Sequence, residues 1–224
     1  MCSCLEARIR SAGKAAKKAM TKKNLSVDHY FSERPKSKLR LGLICTRLRG
    51  QPFEFLTASG VFSMKRVDLG TRLLVESMVL PKEGNVLDIG CGYGIIGIAA
   101  ATFNPRLQVM IVDVNARAIW LAKQNVEKNS VSNVEVKRGR LYKPIGGLVF
   151  DCVLSNPPVS AGMETVKALI SEAPDHMTRK ALFQMVVRSK IAGKRFCGFF
   201  EEAFGNVEVL ARGSGYRVLM SQKS

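Results

Sequence analysis

The stretch Val86-Leu87-Asp88-Ile89-Gly90-Cys91-Gly92-Tyr93-Gly94 constrains the chain more than any other. An apolar strand closes on an acidic residue, enters a turn with glycines at alternate positions, and leaves as an apolar helix through Ile95, Ile98 and Ala99. A strand without polar alternation must be covered on both faces, which requires helices above and below a mainly parallel sheet. The glycines let the backbone turn tightly and lie against a ligand where a Cβ would collide.

The rest of the chain repeats this alternation. Strands are expected at Asn85–Ile89, Gln108–Asp113, Val134–Arg138, Phe150–Leu154 and Leu182–Val187. Helices fall between them: one with Leu69, Leu73, Leu74 and Met78 on one stripe, one from Asn115 to about Asn129 with Asn115 as its cap, and others at Gly162–Ala173 and Ala192–Phe204. The chain closes on a hairpin, Val207–Leu210, a Gly213-Ser214-Gly215 turn and Tyr216–Met220. A second hairpin is expected near the start, Phe53–Thr57 and Val61–Ser63 around Ser59-Gly60. The result is an α/β fold, a seven-stranded, mainly parallel, doubly wound sheet with an antiparallel hairpin strand at its C-terminal end and a β-hairpin before it. Residues 1–28 read as a basic leader, with Arg8, Arg10, Lys14, Lys17, Lys18, Lys22 and Lys23 against Glu6, and residues 29–224 as one domain. The leader fits a mobile or marginally helical arm, with a transit peptide or a start nearer Met20 as alternatives.

Charge narrows the partners. With Lys+Arg 35 and Asp+Glu 18 the net charge is +17, which attracts polyanions and gives a salt-dependent affinity for phosphate backbones. No apolar run reaches membrane-spanning length and no secretory core precedes the domain. The six cysteines show no metal-ligand spacing, so no metal is expected and the compartment reads as reducing and cytoplasmic. A monomer is expected.

Gly92, Gly94 and Gly97 also satisfy the dinucleotide spacing, so a nicotinamide cofactor is the first rival. Asp88, just before the turn, suits a cationic ligand better than a pyrophosphate. S-adenosylmethionine, with its α-amino group and sulfonium, meets that electrostatics. Asp113, at the end of the following strand, stands where an acid bonds ribose hydroxyls. With Asn115 available as the helix cap, Asp113 is free for that work.

After the fourth strand of the sheet comes Ser155-Asn156-Pro157-Pro158. Taken alone this is a turn, but ligands of open α/β sheets bind beyond the carboxyl ends of the strands. The Asn156 side-chain oxygen and the Pro157 carbonyl could each accept an N–H from a planar amine such as guanine N2 or adenine N6. That would aim the nitrogen lone pair at a sulfonium methyl, with two prolines stiffening the backbone. Catalysis would then rest on proximity and orientation. His29 and His176 have no evident nucleophile partner.

With those segments in place, the chain resembles the small-domain class I methyltransferases, a Rossmann-like group, and within it the ribosomal RNA guanine-N2 methyltransferases acting on small-subunit RNA. The resemblance runs from His29 to the C-terminus. It is carried by His29-Tyr30-Phe31-Ser32-Glu33-Arg34-Pro35, Gly60-Val61-Phe62-Ser63, Asp68-Leu69-Gly70-Thr71, the Asp88–Gly94 loop, Asp113-Val114-Asn115 and Asn156-Pro157-Pro158. It implies S-adenosylmethionine as cofactor, held by Asp68, Thr71, Asp88, Gly90, Cys91, Gly92, Asp113, Val114, Arg140 and Asn156. Asp68 and Thr71 would meet its methionine end, though both also read as helix-cap residues. It implies that Asn156, Pro157 and Pro158 hold the target amine. Two positions depart from the pattern. Arg140 stands where the family commonly has an Asp near the adenine amino group, and a guanidinium cannot accept that N–H. Val159 stands where an aromatic often stacks on the base, leaving Tyr30, Phe31 or Phe62 for stacking.

RNA is therefore the expected partner, with Arg188, Lys190, Lys194 and Arg195 as phosphate contacts or, alternatively, only an exposed basic face. A base inside a helix would have to be flipped out. Methylation of guanine N2 in ribosomal RNA leads. A transfer RNA amine, a protein glutamine amide and a non-catalytic RNA-binding domain are the competing readings.

Overall fold

The computed structural model describes residues 35, 37–157, 162–190 and 194–224, so the leader, Tyr30, Phe31, Pro158 and Val159 lie outside the described residues. Two strands, β1 (Leu41–Leu48) and β2 (Gln51–Ala58), form an antiparallel ribbon of their own. The main elements follow as α1 (Leu69–Ser77), β3 (Gly84–Ile89), α2 (Ile95–Phe103), β4 (Leu107–Asp113), α3 (Ala116–Lys128), β5 (Val134–Arg138), β6 (Phe150–Ser155), α4 (Met163–Ser171), β7 (Met177–Arg188), α5 (Lys194–Phe204), β8 (Glu208–Gly213) and β9 (Tyr216–Gln222). The seven strands of the main sheet lie in the order β5-β4-β3-β6-β7-β9-β8. Strands β3 to β7 pair in parallel, and β9 pairs antiparallel with both β7 and β8. The fold is Rossmann-like, as expected.

The alternation along each buried strand divides the core in two. Val86, Val109 and Ile111 face the side carrying the ribbon, α1, α2 and α3, whereas Leu87, Met110 and Val112 face the side carrying α4 and α5. The chain winds outward from β3 through β4 to β5, then returns to add β6 on the other flank of β3. That reversal leaves a crevice at the carboxyl ends of β3, β4 and β6, where such sheets bind ligands.

Two elements depart from expectation. The first hairpin pairs Leu41–Leu48 with Gln51–Ala58 around Arg49-Gly50, and Gly60 lies in the loop beyond it, so Val61–Ser63 form no strand. Both turn residues have positive φ, 44° and 77°, the pattern of a type I′ turn. A side chain in that region is strained, and tertiary contacts offset the cost. The Arg49 N–H donates to Glu76, its guanidinium donates to the Met78 carbonyl, and its Cζ sits 5.2 Å from the Phe103 ring centroid. Strand β7 begins five residues earlier than the apolar run Leu182–Val187, because Thr178 donates to Asp151 on β6 at 2.7 Å and a register shift follows.

One buried amide fastens the ribbon to the domain. Asn125 on α3 is fully buried; its oxygen accepts the Leu56 N–H at 2.7 Å, and its NH2 donates to the carbonyls of Leu56 and Tyr93 at 3.0 and 2.9 Å. Asn125 thus serves as a partner strand for an edge that would otherwise bury unsatisfied backbone. Asn125→Ala should lower the stability by about 2–4 kcal/mol, measured by denaturant unfolding. A loss below about 0.5 kcal/mol would mean that water replaces the amide.

Candidate active site

The turn between β3 and α2 is held open by β4. The N–H groups of Gly90 and Cys91 both donate to the Val112 carbonyl, at 2.8 and 3.1 Å, and the Gly92 N–H donates to Asp113 Oδ2 at 2.9 Å. Gly90 and Gly92 sit at φ 74° and 56°, and a Cβ on Gly92 would meet nothing within 4 Å. Gly92 is therefore required by its backbone angle and faces free space. That space is a cavity of about 300 Å³ at the carboxyl ends of the strands. Gly90, Cys91, Gly92, Asp113, Val114, Arg140, Thr71, Asn156 and Pro157 all border it, together with apolar walls from Ile89, Ile96, Val112 and Leu169.

Asn115 caps α3, its side-chain oxygen accepting the N–H groups of Arg117 and Ala118. Asp113 is left facing the cavity, although its Oδ1 also accepts the Asn115 N–H at 2.8 Å. Burial raises the Asp113 carboxyl to about 6, against the pull of N–H donors from Asn115, Gly92 and Val114.

Asp88 is placed differently from Asp113. It does not border the cavity; it is fully buried beneath the turn, where Oδ2 accepts the Gly97 N–H at 2.9 Å and Oδ1 has no partner among the described residues. A Cβ on Gly97 would stand 2.2 Å from Ile111, so this glycine lets α2 press against β4 and brings its N–H to Asp88. Asp88 acts on the turn from below.

Asp68 caps α1, Oδ2 accepting the N–H groups of Gly70 and Thr71 at 2.9 and 3.2 Å. The Asn156 side chain reaches across from β6 and donates its NH2 to Thr71 Oγ1 at 2.8 Å and to Asp68 Oδ2 at 3.4 Å. The cap and the Asn-Pro motif are thus one arrangement: Thr71 borders the cavity, whereas Asp68 does not and is joined to it through Asn156. With its NH2 committed, the amide turns Oδ1 the other way. Ser155 ties the strand end to its neighbour, donating to the Ile89 carbonyl at 2.8 Å.

The loop after the ribbon supplies the cavity's remaining wall, Val61 and Phe62. Asn115 donates to the Gly60 carbonyl, Arg117 to the carbonyls of Ser59, Pro35 and Ser37, and Tyr93 to that of Ser63. Val61 and Tyr93 lie in segments that carry the resemblance, but the sequence assigns neither a role in the site, since their positions depend on contacts many residues apart. Arg188, Lys190 and Arg195 are exposed and none borders the cavity, and the Lys194 side chain lies outside the described residues. Among the described residues no helix is long and apolar enough to cross a membrane.

The methyltransferase small domain family model matches residues 52–220. The chain is 35% identical over 198 residues to the uncharacterised protein YbxB of Bacillus subtilis, covering 88% of this chain and 98% of that one. It is 33% identical over 171 residues to ribosomal RNA small subunit methyltransferase C of Aeromonas hydrophila, covering 75% of this chain and 48% of the other. It thus spans about half the length of the ribosomal RNA methyltransferases it matches. A solved 16S rRNA N2 methyltransferase of T. thermophilus, in complex with AdoMet and guanosine, superposes with a TM-score of 0.74, covering 85% of this chain and 52% of that one. At 23% identity that likeness is one of fold.

Burial lifts the Asp88 carboxyl to about 7, the Gly97 N–H opposing and the charge of Asp113 adding to the rise. The folded protein therefore holds a proton that the unfolded chain releases near pH 4. This contribution to stability is present below that pH and is lost as pH rises through about 7. Relative to the wild type, Asp88→Asn should gain thermal stability between pH 6 and 8; Asp113, which ionises through about pH 6, titrates in both proteins and is compared out. A difference in Tm that does not change across that interval would refute the assignment.

Proposed function

The chain belongs to the methyltransferase small domain family and is an S-adenosylmethionine-dependent methyltransferase; from that premise we propose that it methylates an exocyclic amino group of RNA, the N2 of a guanine in small-subunit ribosomal RNA. The observation that carries this reading is the Asn156 amide, whose NH2 is committed to Thr71 and Asp68 so that its oxygen is left as an acceptor at the cavity.

The residues present fit the cofactor. Asp113 offers carboxylate lone pairs to a ribose diol, Gly92 leaves its side open, and Ile96, Val112 and Leu141 offer apolar contact to a planar base. Arg140 borders the same cavity and has no acceptor to give, so recognition of an adenine amino group falls to backbone carbonyls. The cofactor supplies an electrophilic methyl on a sulfonium.

The acceptor amine is planar and a poor nucleophile because its lone pair is delocalised into the ring. Asn156 Oδ1 and the Pro157 carbonyl each accept one of its N–H groups and hold the nitrogen with the lone pair facing the methyl. No strong base is needed: transfer leaves the nitrogen cationic and acidic, and it releases its proton to water. The rate gain is one of orientation. The charge of +17 supports a polyanionic substrate, and the Aeromonas relative is named for ribosomal RNA.

The test is transfer of labelled methyl to undermodified small-subunit ribosomal RNA, with transfer RNA in parallel and products identified as nucleosides. N2-methylguanosine is expected. Asn156→Ala should cut the rate about a hundredfold and leave cofactor affinity within about threefold. Label on a protein glutamine, or on no RNA base, would sink the reading.

Cofactor binding should also depend on Asp113. As pH falls through about 6 its carboxylate takes up a proton and the charge-assisted bond to a ribose hydroxyl is lost. The cofactor's own charges are constant over pH 5 to 6.5. Calorimetry should show affinity weakening toward pH 5 in the wild type and little pH dependence in Asp113→Asn. An equal slope in both would place the titrating group elsewhere.

A further inference from the structure

The contacts that hold Asn156 extend to the far end of the sequence. Tyr216, the first residue of β9, donates its hydroxyl to Asp68 Oδ1 at 3.3 Å, while Oδ2 accepts from Gly70, Thr71 and Asn156. The tyrosine ring lies so near α1 that a Cβ on Gly70 would stand 2.7 Å from its Cδ1 and Cε1. Gly70 is helical, and glycine weakens a helix. The backbone does not need it there; the approach of the Tyr216 ring does. The Arg188 guanidinium sits over that ring, 5.7 Å from its centroid.

We propose that Tyr216 is a positioning residue for the acceptor amine, acting through Asp68 and Asn156; the inference rests on the amino-acceptor reading above. A carboxylate gripped through one oxygen still turns about its last torsion, whose energy well is broad. Tyr216 holds the other oxygen and fixes the carboxylate plane. The fixed carboxylate and Thr71 hold the Asn156 NH2, and the amide oxygen then keeps one direction. The C-terminal hairpin thereby becomes part of the site without bordering the cavity.

Tyr216→Phe tests this, because it removes one hydroxyl and keeps the ring against Gly70 and under Arg188. On undermodified small-subunit ribosomal RNA, kcat should fall about tenfold, as for loss of a hydrogen bond to a charged group. KM for the RNA, cofactor affinity and Tm should stay within about twofold or a degree or two. In full-length protein with 15N-labelled asparagine, the Asn156 side-chain amide resonance, assigned by its loss in Asn156→Ala, should move. Gly70→Ala, which crowds the ring from the other side, should move the same resonance and lower kcat.

Wild-type turnover with an unmoved resonance in Tyr216→Phe would reduce Tyr216 to packing. A slower rate with an unmoved resonance would also overturn the proposal, since nothing would then pass through Asp68 and Asn156. If the wild type methylates no RNA amine, the acceptor reading fails on its own, and the resonance still decides whether Tyr216 sets the amide.

Discussion

Three consecutive N–H groups, those of Gly90, Cys91 and Gly92, donate to the end of the neighbouring strand, two to the Val112 carbonyl and one to Asp113. A turn fastened in this way cannot fold back over the strand ends, so the space beyond β3 stays open. The same contacts settle Asp113, whose Oδ2 is spent on the turn and whose carboxylate nevertheless faces the cavity. From below, Asp88 accepts the N–H of Gly97 and fixes the start of α2 against β3. An open turn needs both supports: β4 keeps it from collapsing outward, and the buried acid keeps α2 from sliding.

The ribbon and its loop complete what the sheet leaves unfinished. The strand ends of a doubly wound sheet give a crevice with a floor but little roof. Val61 and Phe62 supply a wall, and their place is dictated by α3: Asn115 at its start takes hold of Gly60, Arg117 of Ser59, and Asn125 in its middle of Leu56. One helix therefore aligns the cavity-facing acid that precedes it, Asp113, with the loop opposite. A shift of α3 would move both walls together, so the cavity keeps its width.

What could be read from the sequence follows from how local each determinant is. The apolar runs at Val86–Ile89 and Val109–Val112 announce buried strands by themselves, and the mainly parallel, doubly wound class of the sheet follows from alternation. Asn115 as cap and Asp113 beside the cavity are equally local, because position after a strand decides them. The ribbon was not legible in this way. Its turn is Arg49-Gly50, and an arginine at positive φ is tolerated only through Glu76, Met78 and Phe103, all distant in sequence. Asp88 reads from sequence as an acid facing a cation. The packing of Gly97 on Ile111 puts it inside instead, and no periodicity encodes that. Tyr216 reads only as the start of a strand, since its partner Asp68 lies 148 residues away.

The choice of an amide at position 156, and not an acid, follows from the same geometry. An aspartate could offer an oxygen to an amine as well as asparagine can. It would also put a second oxygen where Asn156 Nδ2 now stands, 3.4 Å from Asp68 Oδ2 and 2.8 Å from Thr71 Oγ1. Two carboxylates at that distance cannot both remain ionised, and one would take up a proton or turn away. The amide is the side chain of that shape with a donor at one end and an acceptor at the other. Its donor end satisfies the helix cap, and its acceptor end is thereby oriented without a second negative charge beside Asp68. Neutrality suits the proposed work of holding a weak nucleophile in place, because the proton of such an amine becomes acidic only once the methyl has been transferred and no base is needed before then.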